Sequence, residues 1–145
     1  VIDDVSHYPA HQIFSFFSLW NSVNPGGLYV VEDLETNYWA ADKKVYGYTL
    51  QGRGISNGPD QSAVAKFKQF IDILMGNDIG APDLSIMSGD RQICSIEWGM
   101  NLVAFKKCTA AEMASSPKVQ PRRFDQAILT EWVQQATTTN PIATA

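Results

Sequence analysis

Apolar and polar positions along the chain sort into a few blocks with distinct periods. Ile13, Phe17 and Trp20 recur at helical spacing, and Phe16, Leu19 and Val23 widen the stripe, so residues 6–23 predict a helix with its entry loop. Pro9 suits the first helical position, where no backbone donor is needed, and Asn24-Pro25-Gly26-Gly27 stops the helix. Leu28-Tyr29-Val30-Val31 is a continuous apolar run and predicts a buried parallel strand. The crossover from Asp4 to Leu28 has the length a strand–helix–strand unit needs. Residues 60–75 predict a second helix, with Asp60 as its cap, Val64, Phe67, Ile71 and Leu74 on its inner face, Lys66 and Lys68 in solvent and Gly76 at its end. A short strand is expected at 84–87. Residues 92–98 and 102–107 predict an antiparallel hairpin around Gly99-Met100-Asn101, with Glu97 facing solvent. Residues 35–59 follow no period and are rich in Gly, Tyr and Asn; such a loop is either a lid over a site or a tethered surface excursion. After Cys108 the composition turns to Ala, Ser, Thr, Gln and Pro, and residues 124–135 predict one amphipathic helix, with Ile128 and Trp132 on a common face, in an otherwise disordered tail.

Composition narrows the class. The 145 residues suffice for one ordinary domain, and 45% hydrophobic content is that of a globular core. A net charge of −4 argues against a nucleic-acid partner or an anionic membrane surface. No apolar stretch approaches the roughly 20 residues a bilayer crossing needs, and the first residues carry no signal-peptide pattern. Cys94 and Cys108 are too few for a disulfide framework and lack zinc-knuckle spacing, so Cys94 reads as a small core residue and a reducing, cytoplasmic setting fits. Val1-Ile2 reads as the end of a strand with no neighbour before it, which predicts a carboxyl-terminal portion of a longer chain: residues 1–108 as an incomplete domain and 109–145 as a tail.

The candidate chemistry sits at the ends of two apolar runs. Val1-Ile2 leads into Asp3-Asp4, with His7 three residues on; Leu28-Tyr29-Val30-Val31 leads into Glu32-Asp33, with Glu35 just after. Ligands of open α/β sheets bind outside such strand tips, and carboxylates packed together repel unless a cation sits among them. Plainer roles compete. Asp3 and Asp4 can cap the helix that follows, His7 can be a capping residue, and Glu35 reads as a solvated loop residue. His7 and His11 have the spacing of a helical zinc pair, but Pro9 opens the helix between them, so His11 reads as an exposed first-turn residue. Tyr38 and Trp39 either wall a sugar pocket or pack a lid on the sheet.

The order helix, parallel strand, helix, terminal hairpin matches the second half of a class I methyltransferase, a doubly wound sheet with one reversed strand. Asp3-Asp4-Val5-Ser6-His7, then Pro25-Gly26-Gly27-Leu28-Tyr29-Val30-Val31-Glu32-Asp33-Leu34, then Thr36-Asn37-Tyr38-Trp39 resemble the metal-dependent sugar O-methyltransferases of macrolide biosynthesis, the macrocin and mycinamicin O-methyltransferase family. That family shows Asp-Asp-Gly-Ser-His, then Pro-Gly-Gly-x-Tyr-x-x-Glu-Asp and a nearby Tyr-Trp. Ile93-Cys94-Ser95-Ile96 through Asn101-Leu102-Val103 looks like its final hairpin, so the resemblance reaches from Val1 to about Lys107. It implies an α/β fold, the carboxyl-terminal half of a Rossmann-like methyltransferase sheet whose parallel strands end in an antiparallel hairpin. It further implies Mg2+ held by Asp4, Glu32 and Asp33, His7 as general base, S-adenosylmethionine as methyl donor, and a hydroxyl of a sugar or natural product as acceptor, with Tyr38 and Trp39 as candidate acceptor contacts. The chemistry asks for these types: a metal ion acidifies a poor nucleophile, and an imidazole takes the proton at neutral pH. Val5 stands where the family usually has Gly, and the family's Gly-rich cofactor turn is absent; Gly52-Arg53-Gly54 has no strand before it and is no substitute. A non-catalytic carbohydrate- or partner-binding remnant of the fold is the alternative, with a small metal-dependent hydrolase third. The half-sheet would expose an apolar edge, which leaves self-association into a homo-oligomer open.

Overall fold

The computed structural model describes residues 1–4, 6–50, 62–79 and 85–115. The chain runs β1 (Ile2–Asp3), α1 (Pro9–Leu19), β2 (Leu28–Val31), β3 (Lys44–Val45), β4 (Tyr48–Thr49), α2 (Ala63–Ile79), β5 (Ile93–Gly99), β6 (Leu102–Lys107) and α3 (Ala110–Ser115), with 3-10 turns at Trp20–Ser22, Leu34–Tyr38 and Asp90–Gln92. β1, β2, β6 and β5 form one mixed sheet in that order, while β3 and β4 form a separate small hairpin. β1 pairs parallel with β2, β2 pairs antiparallel with β6, and β6 pairs antiparallel with β5. The single reversed strand therefore sits between β2 and β5. The register pairs Val31 with Val103, which sets the start of β6, and the turn before it, beside the carboxyl end of β2.

Alternation along the strands builds the core. Tyr29, Val31, Val103 and Phe105 turn to one face and meet Phe16 and Trp20 from the first helical segment and Phe67, Phe70 and Ile73 from α2. Phe16 is the hub: its ring lies 4.4 Å from Phe105, 5.1 Å from Tyr29, 5.3 Å from Phe70 and 5.5 Å from Phe67, centroid to centroid. Edge-on and tilted aromatic pairs at these separations add to the burial energy. Ile2 and Leu28, which alternate to the other face, are exposed.

The first helical segment keeps its predicted face through Ile13, Phe16, Phe17, Trp20 and Val23, whereas α2 is rotated from its predicted face. In α2 the buried hydrophobic residues, among those described, are Ala63, Val64, Phe67, Phe70 and Ile73, while Ile71 is exposed. Phe70 and Ile71 satisfy the helical period equally, and contact with Phe16 selects Phe70. Gly76 lies inside α2 rather than after it. In α1 Gln12 is buried, whereas Leu19 is exposed. Asp60 falls outside the described residues; the start of α2 is capped by Asn37, whose Oδ1 accepts from the Ala63 N–H at 2.6 Å, and by Ser62, whose Oγ accepts from the Ala65 N–H at 3.2 Å. Val5, Gly52-Arg53-Gly54, Leu84 and the predicted helix at 124–135 also lie outside the described residues.

Two further expectations need correction. Residues 85–87 form no strand; they bend around the buried Asp90, whose Oδ2 accepts from the N–H groups of Ile86 and Met87 and from Ser85. Cys94 is not a free core thiol: it is half-buried and disulfide-bonded to Cys108, with a Cα–Cα separation of 5.0 Å. Pairing of Ile93 with Lys107 and an irregularity between Ile93 and Ser95 bring the two cysteines together across the hairpin, so cysteine count gives no support to a reducing setting. A capping box opens α3: Thr109 Oγ1 accepts from the Glu112 N–H while Glu112 Oε2 accepts from the Thr109 N–H. Lys106 and Thr109 hold the Glu112 carboxyl down at about 2. Among the described residues no helix is long and apolar enough to cross a membrane.

Replacing Phe16 by Ala is expected to cost about 3–5 kcal/mol of unfolding free energy, because the hub of the cluster becomes a cavity; urea unfolding measures it. Asn37→Ala is expected to cost about 2–3 kcal/mol in the same assay, because it leaves buried N–H groups at the start of α2 without an acceptor.

Candidate active site

Since β1 and β2 are parallel, their carboxyl ends open at the same end of the sheet. Asp4 and His7 follow β1 in the loop before α1, and Asp33 follows β2 after one residue. His7 (φ 51°) and Asp33 (φ 53°) both take left-handed backbone, which costs a residue with a Cβ. The strain turns the two side chains toward each other: His7 Nε2 lies 3.1 Å from Asp4 Oδ1 and 3.0 Å from Asp33 Oδ2. One ligand-competent atom from each of the three lies within 4.8 Å of the others. The cluster is graded in exposure, with the Asp4 side chain 59% accessible, Asp33 31% and His7 20%. Two carboxylates and an imidazole in this arrangement can hold a cation, or take and stabilise a proton.

Polar side chains that sequence reading passed over hold the two loops. Thr36 Oγ1 donates to the His7 carbonyl and so ties one loop to the other. Gln12 Nε2, from α1, donates to the Glu32 carbonyl at 2.9 Å and lies 3.3 Å from the Asp33 carbonyl. Asn37 Nδ2 donates to the Leu34 carbonyl at 3.0 Å and to Gln12 Oε1 at 3.3 Å. Asn101, in the turn between β5 and β6, donates from Nδ2 to Asp33 Oδ1 at 2.9 Å. Thr36, Asn37 and Asn101 lie inside the stretches that resemble the family, which gave them no role, and at Gln12 the polar type in an apolar stripe was the available signal.

The other predicted residues are placed as follows. Glu32 continues the ladder, its N–H donating to the Asp3 carbonyl at 3.0 Å, and its side chain is not part of the Asp4–His7–Asp33 group. Asp3 does not cap α1; it is buried on the covered face, where Tyr29 Oη donates to its Oδ2 at 3.0 Å. Burial first, then the charge of Asp3 and this hydrogen bond, push the Tyr29 phenol well above its ordinary range. Glu35 is not simply solvated: its Oε2 is buried without a hydrogen-bond partner. It borders a hollow of about 290 Å³ shared with Leu34, Tyr38, Trp98 and Leu102. His11 is half-buried, its Nδ1 2.8 Å from Ser6 Oγ, and it is not part of the Asp4–His7–Asp33 group. Tyr38 and Trp39 are each partly exposed, Trp39 beside a second hollow of about 430 Å³. The stretch read as a lid or an excursion contains the β3–β4 hairpin, and that hairpin lies against the site. Tyr46, at its tip, presents a ring edge to His7 with centroids 5.3 Å apart, and Tyr48 stacks on Tyr8 at 5.2 Å.

Known proteins bear on this geometry. No family model matches the chain. The chain is 33% identical over 128 residues to demethylmacrocin O-methyltransferase of Streptomyces fradiae, covering 86% of this chain and 30% of that protein. It is 32% identical over 129 residues to mycinamicin VI 2''-O-methyltransferase of Micromonospora griseorubida, covering 88% and 30%. A shorter match, 56% over 46 residues, is to 8-demethyl-8-alpha-L-rhamnosyl tetracenomycin-C 2'-O-methyltransferase of Streptomyces olivaceus, covering 32% of this chain and 12% of that protein. Among solved structures, the MycE methyltransferase of mycinamycin biosynthesis in complex with Mg and SAH superposes with a TM-score of 0.64 at 28% identity, over 90% of this chain and 32% of that one. The chain thus spans about a third of the length of the relatives it matches along most of its own length. Mixed sheet, strand-tip cluster and sequence thus agree in making the chain similar, along most of its length, to about a third of the macrocin and mycinamicin O-methyltransferases.

Proposed function

We propose that residues 1–108 are the carboxyl-terminal half of a doubly wound methyltransferase domain, with 109–145 as a tail, and that the whole protein transfers a methyl group from S-adenosylmethionine to a hydroxyl of a sugar or natural product with the help of Mg2+. The convergence of Asp4, His7 and Asp33 at parallel strand tips carries this reading. The donor chemistry fits the ion. Mg2+ prefers oxygen ligands and keeps places for water and substrate, and Asp4 and Asp33 offer carboxylate oxygens on an open side, with the third carboxylate, Glu32, one residue from Asp33. When bound, the ion supplies positive charge that acidifies and fixes an acceptor hydroxyl.

This chain's own groups then divide the work. Asp4, Glu32 and Asp33 would hold the ion. His7 Nε2 would take the acceptor hydroxyl proton, with the carboxylates beside it stabilising the imidazolium, while S-adenosylmethionine would supply the methyl group and leave as S-adenosylhomocysteine. Tyr38 and Trp39 offer ring faces to a sugar. The relatives support this acceptor class: their names specify rhamnosyl tetracenomycin-C and mycinamicin VI, and one MycE structure holds Mg, SAH and mycinamycin VI. β1 lies at the sheet edge with Val1 and Ile2 exposed, where the strands of a cofactor-binding half would add. A cytoplasmic setting, where the methyl donor is made, and assembly into a homo-oligomer belong to the same reading; nucleic acid and membrane do not.

In calorimetric titration with Mg2+, Asp4→Asn, Glu32→Ala and Asp33→Asn are each expected to weaken binding by about tenfold or more. A wild-type protein that binds no divalent ion would overturn the reading, and unchanged affinity in Glu32→Ala would remove that residue from the ligand set. His7→Gln is expected to keep Mg2+ affinity while methyl transfer, in the protein that carries both halves, falls by about 10²–10⁴. Absence of transfer in the wild type would favour the non-catalytic binding remnant.

A further inference from the structure

Asn101 engages the metal-site loop at three points. Its Nδ2 donates to Asp33 Oδ1 at 2.9 Å, its Oδ1 accepts from the Glu35 N–H at 2.7 Å, and its carbonyl accepts from the Leu34 N–H at 3.2 Å. It does so from left-handed backbone, φ 66°, a conformation Asn tolerates better than most residues. The sheet dictates the meeting: β2 and β6 pair Val31 with Val103, and the same antiparallel register carried two residues further sets Asp33 against Asn101. Asp33 is thereby left with unequal oxygens. Oδ1 is occupied by an amide donor, and Oδ2 faces His7 and Asp4.

We propose that Asn101 is a positioning residue that makes Asp33 a single-oxygen ligand and so biases the site toward Mg2+ over Ca2+. The inference rests on the metal-site reading above. Mg2+ demands a near-octahedral shell and is held through one or two carboxylates, whereas Ca2+ takes 6–8 oxygens and is often gripped by both oxygens of one carboxylate. An amide fixed on Oδ1 obstructs that two-oxygen grip. The same bond, with the Glu35 contact, holds Asp33 in its left-handed conformation and keeps Oδ2 aimed at the cluster.

The test is calorimetric titration of the wild type and Asn101→Gly with MgCl2 and with CaCl2 separately. Glycine accepts the positive φ, so this variant removes the side chain without adding backbone strain. Mg2+ binding is expected to weaken by about tenfold and the preference for Mg2+ over Ca2+ to shrink by a similar factor. A purely structural role would lower the melting temperature and leave the ratio of the two affinities where it was; that outcome overturns the inference, as does unchanged binding of both ions. Asn101→Asp keeps an acceptor for the Glu35 N–H but loses the donor, and it is expected to move the ratio the same way, which keeps the test decisive if the glycine variant does not fold. A wild type that binds neither ion sinks the metal site itself, whereas a wild type that binds with an unaltered ratio in both variants sinks only the role of Asn101.

Discussion

A loop that leaves a sheet under two helices has no strand ladder to satisfy its backbone, and buried N–H and C=O groups without partners are costly. Residues 32–37 meet that constraint with borrowed side chains. Gln12 reaches the Glu32 and Asp33 carbonyls from α1, Asn37 takes the Leu34 carbonyl while capping α2, and Asn101 takes the Glu35 N–H from the hairpin turn. Three separate elements are thus pinned to one short segment. The positions of α1, α2 and the β5–β6 hairpin follow from that pinning as much as from the aromatic cluster beneath it, and so does the left-handed turn at Asp33 that points its carboxylate at His7.

Rigidity and opening are combined in the cluster itself. His7 is held by its own backbone strain and by Thr36 on its carbonyl, yet Asp4 stays largely in solvent. The β3–β4 hairpin covers part of the opening with Tyr46, while Tyr48 rests on Tyr8 and His11. The two carboxylates stay partly in water, and the Tyr46 ring lies edge-on against the imidazole between them. The orphaned Oε2 of Glu35 at the neighbouring hollow is a buried acceptor beside Tyr38 and Trp98.

The sheet is finished on one face and open on the other. Tyr29, Val31, Val103 and Phe105 are fully buried, whereas Ile2 and Leu28 remain exposed at β1 and β2. An apolar edge strand of this kind is a liability unless it is covered or paired. That matches a chain spanning about a third of the length of its relatives.

The βαβ unit, the terminal hairpin and the candidate chemistry were legible in the chain because each is written in local pattern: 3.6-residue and two-residue periods, Pro9 at the start of α1, Gly-rich stops, and acidic residues at the ends of apolar runs. Family motifs pointed to Asp4, Glu32, Asp33 and His7 as one site, since residues at parallel strand tips are neighbours by topology; the structure groups the ligand-competent atoms of Asp4, His7 and Asp33. What local pattern cannot carry is which of two adjacent apolar residues turns inward, or which distant polar group answers a loop's backbone. Phe70 rather than Ile71, Gln12 in an otherwise apolar face, the pairing of Cys94 with Cys108 and the approach of Asn101 to Asp33 were all decided by tertiary packing. The physical reason is common to them: strand register and helix rotation are set by contacts between segments far apart in sequence, and only in the assembled sheet does a polar side chain acquire the partner that gives it a role.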